Sequence, residues 1–446
     1  MNTRMNTRLL VLRILSAFDR QPENFERSID SVLGRAPLDD RDKRFVFEIV
    51  YGVVRRRLTL DYIIDRLLSS GSLRKKAVLR RILQIGLYQI LYLDRVPDHA
   101  AVNESVKLAK AEYETRRISG VVNGVLRKVV ADRRAALKLP GQETPLPERL
   151  SVEYSHPSWM VERWLRNFGL AAVKQLLVFN NEKPHTYLRR RIRELSRQQF
   201  EAENHSLCEP VGGYLNLYYR LKKSIIPENV RAIRQGSCTV QAPSSGWAVA
   251  LMEAEKGDKI LDICASPGGK MSMLAELIGE SGSLCACDDK WHRVKMCVGT
   301  AWRMRLENVH SFAADGRFPP FDGVFDKVLL DAPCSATGVL HRHPDARWIR
   351  KPGDIGVLAA LQAALLESAA VLVRRGGTLV YSTCSIEPEE NDIQIGSFIS
   401  RHPEFVHSGC PAIVPQSFID AGGFLSITPF AHGMDGMFGA RLKRIK

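Results

Sequence analysis

From Leu9 to about Val130 the apolar residues return at helical spacing. Leu9, Leu10, Leu12, Ile14, Leu15 and Phe18 form one stripe, and Phe45, Val46, Ile49, Val50, Val53 and Val54 form a second. Ile82, Leu83, Ile85, Leu87, Tyr88, Ile90 and Leu91 form a third that is apolar nearly all round. Val121, Val122, Val125, Leu126 and Val129 form a fourth. Strand-like alternation is scarce, so this part predicts an all-α domain. Asp39-Asp40-Arg41-Asp42 reads as a helix start with acid in its first turn, where the helix dipole favours it.

The pattern then changes twice. LKLPGQETPLPERL is a linker by composition, and SHPSWMVERWLRNFG begins an amphipathic helix expected to carry Trp159 and Trp164 on one side. From about Ser237 short apolar strands alternate with helices, the signature of a doubly wound α/β domain. The strands are KILDIC, SLCACD, NVHSFAAD, DKVLLDAP and TLVYSTC; the helices fall at residues 271–277, 291–304, 355–373 and 391–400. The expected division is therefore a helical domain over residues 1–137, a linker with a small α+β subdomain over 138–236, and the α/β domain over 237–446.

Charge adds a partner to this picture. The chain of 446 residues carries a net charge of +15, which points to a polyanion, with nucleic acid ahead of an acidic membrane. Residues 1–150 hold 29 Lys and Arg against 18 Asp and Glu, so the basic character is concentrated there. It gathers at Arg41, Lys43 and Arg44; at Arg55-Arg56-Arg57; at Arg74, Lys75, Lys76, Arg80 and Arg81; at Arg116-Arg117; and at Arg127-Lys128. One basic helix face is ordinarily just solvated; five in one domain favour RNA or DNA contact. The nine cysteines are odd in number and irregular in spacing, with no CxxC pair. A reduced, cytoplasmic setting without a structural metal is expected. No apolar run long enough for a bilayer and no signal-peptide pattern is read, and the opening repeat MNTRMNTR carries no structural message.

The candidate chemistry sits at strand ends. Asp262-Ile263-Cys264-Ala265-Ser266-Pro267-Gly268-Gly269-Lys270 joins the first strand to a helix, and its glycine pair lets a ligand approach the backbone. It is neither a phosphate loop nor a dinucleotide fingerprint. Asp288 ends the next strand, 20 residues after Gly268, where Rossmann-like sites hold ribose hydroxyls. Asp315 follows the third strand, within reach of an adenine amino group. Any one of these acids serves equally well as a helix N-cap. Together, without a basic group for pyrophosphate, they suit a nucleoside lacking phosphates, such as S-adenosylmethionine. The fourth strand ends on Asp331-Ala332-Pro333-Cys334-Ser335. The fifth ends on Thr383-Cys384-Ser385, before Pro388 and a helix start made acidic by Glu387, Glu389 and Glu390. Cys384 alone is as readily a small buried residue. Two cysteines on one sheet edge form neither an expected disulfide nor a complete zinc site, whereas two catalytic thiols make sense there.

Several of these segments resemble a known family. RDKRFVFEIVYGVVRRRLTLD, LRRILQIGLYQILYLDRVPDHAAVNESVKLAK and RRISGVVNGVLRKV are similar to the NusB-type RNA-binding domain. CASPGGK, DAPCSATGV and YSTCSIEPEEN resemble the cofactor loop, Pro-Cys motif and Thr-Cys motif of the Sun-type ribosomal RNA cytosine-5 methyltransferases, and HGMDGMFGARL their closing strand. YLRRRIR falls where that family carries an Arg-Val-Asn strand; Arg189 takes the Arg place, the Asn is missing, and the further arginines are expected to contact phosphates. The resemblance implies a Rossmann-like class I methyltransferase domain that binds S-adenosylmethionine through Cys264–Lys270, Asp288, Asp315 and Asp331. It implies Cys384 as the nucleophile toward cytosine C6, Cys334 as its assistant in release, and Asp331 on the N3/N4 edge of the base. The substrate it implies is a cytosine of small-subunit (16S) ribosomal RNA, methylated by a cytoplasmic monomer with no membrane attachment. An RNA-binding assembly factor that only keeps the fold, and an enzyme for transfer RNA or DNA, are the competing readings.

Overall fold

The structure, a computed structural model, describes residues 6–446 apart from residues 35, 69, 70, 193, 224 and 322. Only the last three residues of the opening repeat are described, and Arg193 lies outside. The chain divides into two compact units, Met1–Glu182 with Leu340–Arg350, and Lys183–Val339 with Lys351–Lys446.

In the first unit the four predicted stripes become the helices Thr7–Arg20, Asp40–Arg55, Ala77–Tyr92 and Arg116–Ala131. Ile14, Val50, Ile85 and Val122 meet in one core. Asp39 caps the second of these helices, its carboxylate accepting from the Asp42 N–H at 2.7 Å. Every residue from Arg81 to Ile90 is buried, as an all-round apolar helix requires. Gly52 makes room for it: a Cβ there would lie 1.9 Å from Tyr88 Cζ.

Two expectations change in this unit. The basic clusters are partly internal, since Arg81 pairs with Asp19, Arg80 with Asp61 and Asp65, and buried Arg55 donates to the carbonyl of His341. Arg41, Arg44, Arg74, Lys75, Lys76, Arg116, Arg117, Arg127 and Lys128 remain exposed. Trp159 and Trp164 do not share a face of the helix Ser158–Phe179. Trp164 is buried beside Met160 and Val161, while Trp159 is half-buried, because five residues turn a helix by about 140°. The segment Leu340–Arg350 brings Arg347, fully buried, whose guanidinium donates to the carbonyls of Arg55, Ser155 and Asn180 and to Asn181 Oδ1.

The second unit contains two sheets. The smaller is built from β1 (Tyr187–Arg190), β2 (Cys208–Gly212), β3 (Tyr218–Leu221) and β4 (Cys238–Val240), in the order β2-β3-β1-β4. β4 lies beyond residue 236, so the small subdomain's sheet runs past the expected boundary. The arginines of β1 turn inward rather than toward phosphates. Arg189 is fully buried against Glu276 at 2.6 Å and Ser272 at 2.8 Å, and Arg190 donates to the carbonyls of Arg191 and Leu195. Arg191 pairs with Glu194 at 2.8 Å.

The larger sheet contains β5 (Lys259–Ile263), β6 (Ser283–Asp288), β7 (Val309–Ala313), β8 (Phe325–Asp331), β9 (Val373–Thr383), β10 (Phe405–His407), β11 (Leu425–Ile427) and β12 (Met437–Arg444). The order is β10-β12-β9-β8-β5-β6-β7, with β11 beside β12. β5 to β9 are parallel, and β12 joins β9 antiparallel. The chain runs outward from β5 through β6 to β7, then returns to place β8 on β5's other side. That reversal is the switch point where doubly wound sheets bind ligands. The helices Gly269–Ile278, Trp291–Arg303, Asp354–Val371 and Asp392–Arg401 match those predicted. The third of them is long and apolar enough, by length and composition, to cross a membrane, with a hydropathy of 1.5 over 18 residues. It packs against β8 and β9.

Candidate active site

Each strand of the parallel sheet delivers a polar side chain to the edge where it ends. β8 and β9 run in register with Asp331 beside Ser382, so the next residues of each chain bring Cys334 and Cys384 together. Their sulfurs lie 3.2 Å apart. The Cys334 thiol is held well above its ordinary pKa, first by its hydrogen bond with Cys384, then by burial, and further by the charges of Cys384 and Glu390. These influences all favour the protonated form of Cys334.

Backbone packing fixes this geometry. The Gly338 N–H donates to the Cys384 carbonyl at 3.0 Å, and the Gly436 N–H donates to the Gly338 carbonyl at 2.8 Å. A Cβ on Gly338 would lie 2.6 Å from that Cys384 oxygen. Only glycine permits this approach of three chain segments. Thr383 donates to Asn391 Oδ1 at 2.6 Å, and Asn391 Nδ2 donates to the Ser385 carbonyl at 2.9 Å, closing the turn around Cys384.

On the other side of β8 lies the loop after β5. Cys264 adopts φ +63° and Gly268 φ +98°, the second a conformation natural to glycine. Asp331 accepts from Lys270 Nζ at 2.7 Å and from Ser382 Oγ at 2.8 Å, so one carboxylate joins the loop to β9. Burial opposes the charge on Lys270, but Asp331 outweighs it, and the ammonium is held above its ordinary pKa. Asp288 at the end of β6 accepts from the Ser266 N–H at 3.2 Å. Burial and neighbouring Asp289 push its carboxyl up against the opposing pull of Arg293. Cys264 is itself kept as a thiol by burial and by the surrounding acids and Cys287.

Residues 249–443 match the family described as 16S rRNA methyltransferase RsmB/F, and residues 5–131 match the NusB family. A probable ribosomal RNA small subunit methyltransferase B of Synechocystis is 37% identical, covering 99% of this chain and 100% of its own. The chain belongs to this methyltransferase family. Among solved structures, that of PH0851 covers 99% of this chain and 100% of its own, at 24% identity and a TM-score of 0.79. NSun6 from Pyrococcus horikoshii, solved with the S-adenosylmethionine analogue SFG, covers 64% of this chain and 97% of its own, at 21% identity and a TM-score of 0.58. Both share the fold of the methyltransferase unit.

In this methyltransferase the predicted site residues do not all converge equally. Cys334 is paired with Cys384, Asp331 with Lys270 and Ser382, and Ser266 with Asp288. Asp315 is half-buried and paired with Arg317 at 2.6 Å, which holds its carboxyl below the usual range. Two buried carboxyls complete the site. Glu390, read from sequence as acid at a helix start, turns fully inside. Its Oε1 accepts from the Ser335 N–H at 2.8 Å and Gln362 Nε2 at 3.0 Å; its Oε2 accepts from the hydroxyls of Ser335 and Ser385, each at 2.5 Å. It thus ties the residue after each cysteine to one group. The available signal was the repeated Cys-Ser pair, two hydroxyls in matching positions calling for a shared acceptor. Asp262 on β5, noted only as the head of its motif, is also fully buried, and neither oxygen has a hydrogen-bond partner. Burial and the nearby charge of Asp331 push its carboxyl well up.

Proposed function

We propose that this chain methylates C5 of a cytosine in small-subunit ribosomal RNA through a covalent bond between Cys384 and C6. The observation that carries the reading is the pair of thiols 3.2 Å apart at the ends of two adjacent parallel strands, beside Asp331. The reading of S-adenosylmethionine as cofactor is supported by the acids around the β5 loop, of which Asp262 is unpartnered and Asp288, paired with Arg293 at 3.5 Å, keeps acceptor capacity. Asp262 has no donor, and Asp288 Oδ1 has no hydrogen-bond partner, which fits a ligand rich in hydroxyls and positive charge. Asp288 would meet its ribose, the Cys264–Lys270 loop would hold it by backbone groups, Asp315 would reach its adenine, and Asp331 would frame it. When bound, the cofactor supplies an electrophilic methyl group.

Cytosine C5 is a weak nucleophile. The Cys384 thiolate adds to C6, making C5 enamine-like and able to accept the methyl. Each Asp331 oxygen keeps a lone pair beyond its bonds to Lys270 and Ser382, so the carboxylate can accept from the N4 amine of the base. Once the Cys384 sulfur is bonded to C6, its hydrogen bond and charge no longer hold the Cys334 proton, leaving burial and Glu390 to do so. Cys334 then releases that proton to solvent and takes the C5 proton, the C6–S bond breaks, and Cys384 leaves as thiolate. The base must be unstacked to reach these groups, which suits a loop of structured RNA.

The two cysteines should therefore fail in opposite ways. Cys384→Ala is expected to methylate nothing and trap nothing. Cys334→Ala is expected to remain attached to RNA, as a slow band on a denaturing gel. Trapping by Cys384→Ala alone would reverse the roles, and normal methylation by both variants would make the thiols structural.

A further inference from the structure

The helix Trp291–Arg303 fills the space between β6 and β7, burying Val294, Cys297 and Ala301. Its Thr300 hydroxyl donates to the Pro267 carbonyl at 3.2 Å, and Met296 Sδ lies 3.9 Å from Ser266 Oγ, so the helix walls the β5 loop. The rest of its surface is unusual. Trp291, Lys295, Val298 and Trp302 fall four, three and four residues apart, which puts them on one face. Trp302 is 82% exposed, Trp291 58% and Val298 46%. Large aromatic side chains left in water on one stripe mark an interaction surface rather than ordinary scatter. The sequence contains six tryptophans, and two of them are spent here.

Charge indicates what covers this stripe. The helix carries no acid; of its cations, Arg303 donates inward to the carbonyls of Ile233 and Cys238 and Arg293 pairs with Asp288 and Asp289, which leaves Lys295 on the exposed face, with Lys290, beside Asp289, and Arg305 at the two ends. The Lys295 ammonium lies 6.0 Å from the Trp291 ring centroid. A second copy of the chain docking this face on itself would oppose like charges. An interfacial membrane helix presents a continuous apolar face, whereas here the indoles stand about 16 Å apart along the axis with a lysine between. Flat rings separated by cations are the arrangement that stacks unpaired bases while the charges meet phosphates.

We propose that this face is a stacking platform for an unpaired stretch of the RNA substrate, with Trp291 and Trp302 each taking a base and Lys295 a phosphate. The proposal rests on the reading of the chain as an RNA methyltransferase and adds to it a place where substrate is held outside the thiol site. Stacking is tolerant of base identity, so the platform provides affinity and direction rather than choice of cytosine.

The full-length protein should be titrated with an unstructured RNA of about ten nucleotides, following indole fluorescence and binding. Wild type is expected to be quenched. Trp291→Ala and Trp302→Ala should each weaken binding about ten-fold, with unchanged salt dependence because no charge is lost. Trp302→Phe should restore most of the affinity. Lys295→Ala should instead flatten the salt slope by about one phosphate contact. With the ribosomal substrate, the double Trp variant should raise KM and leave kcat and S-adenosylmethionine affinity as in wild type. RNA binding by the double variant equal to wild type overturns the platform while leaving the methyltransferase reading intact. The same result with loss of binding to anionic phosphatidylserine vesicles would assign the face to a membrane and also overturn it. If wild type itself binds no RNA, the broader reading falls first.

Discussion

Two carboxyls of the α/β unit are equally hidden from water and treated in opposite ways. Glu390 receives four hydrogen bonds, two on each oxygen, three from Ser335 and Ser385, which follow the two cysteines, and one from Gln362. Asp262, one strand over from β8, receives none. Burial alone therefore does not identify function. A sealed polar group with every lone pair occupied is architecture that holds other groups in place. A sealed group left wanting is a cost the protein tolerates because something else completes it. The first region keeps two loops together; the second, on the proposed reading, is completed by the cofactor.

Breaking the satisfied region should have the largest effect. Glu390→Ala leaves four donors facing a cavity, and a loss of at least about 3 kcal/mol of stability is expected in urea unfolding. Glu390→Gln keeps the volume and gives the sharper result: kcat falls while the affinity for S-adenosylmethionine, measured by calorimetry, stays within two-fold or so. If that variant lost cofactor affinity instead, the two regions would not be separable. Gly338→Ala comes next, because its Cβ would press on the Cys384 carbonyl. It should cost about 1–3 kcal/mol and slow formation of the RNA adduct without altering cofactor binding.

Asp262→Asn should have the smallest effect on stability, and its sign depends on pH. The unfolded chain releases the Asp262 proton near pH 3.9 or so, while the folded protein holds it to higher pH. Below that point the wild type has no penalty. As pH rises toward the folded value the unfolded state binds fewer protons than the native state, so wild-type stability falls. The Asn variant does not titrate there. Its melting temperature without cofactor should gain on wild type from pH 4 upward, and cofactor should bind it about ten-fold more weakly. A constant difference across pH would show that Asp262 is already ionised, and with it the contrast to Glu390 would dissolve.

The same contrast shows what was legible in the residues. Periodicity located the helices and the parallel strands because burial of one face is a local property of sequence. The strand ends followed, and with them Asp331, Cys334 and Cys384, since alternation of strand and helix brings successive strand ends to one edge. Glu390 could not be singled out because three acids at a helix start look alike; the fold buries Glu387 and Glu390 and gives Glu390 the four donors. The arginines of β1 misled in the opposite direction. Charge suggested phosphate contacts for the arginines after Arg189, but Arg190 donates to the carbonyls of Arg191 and Leu195 and Arg191 pairs with Glu194, while Arg189 itself has Glu276 waiting 87 residues later in the chain, a pairing no local pattern announces. Trp159 and Trp164 were grouped by identity, although their spacing already set them on different faces.

The return of residues 340–350 to the first unit bears on how the protein is made. The helices up to Phe179 leave the ribosome early, yet the carbonyls of Arg55, Ser155 and Asn180 find their buried donor only when Arg347 has been synthesised. Val54's carbonyl waits in the same way for Trp348. Domains generally complete themselves in order during translation; this one cannot. Its final contacts form after β5 to β8 have been translated, with β9 to β12 still to come. A nascent chain arrested before residue 340 should thus be more open to protease than the same helices in the finished protein, and excising residues 1–182 as a free-standing piece would discard the arginine that seals them.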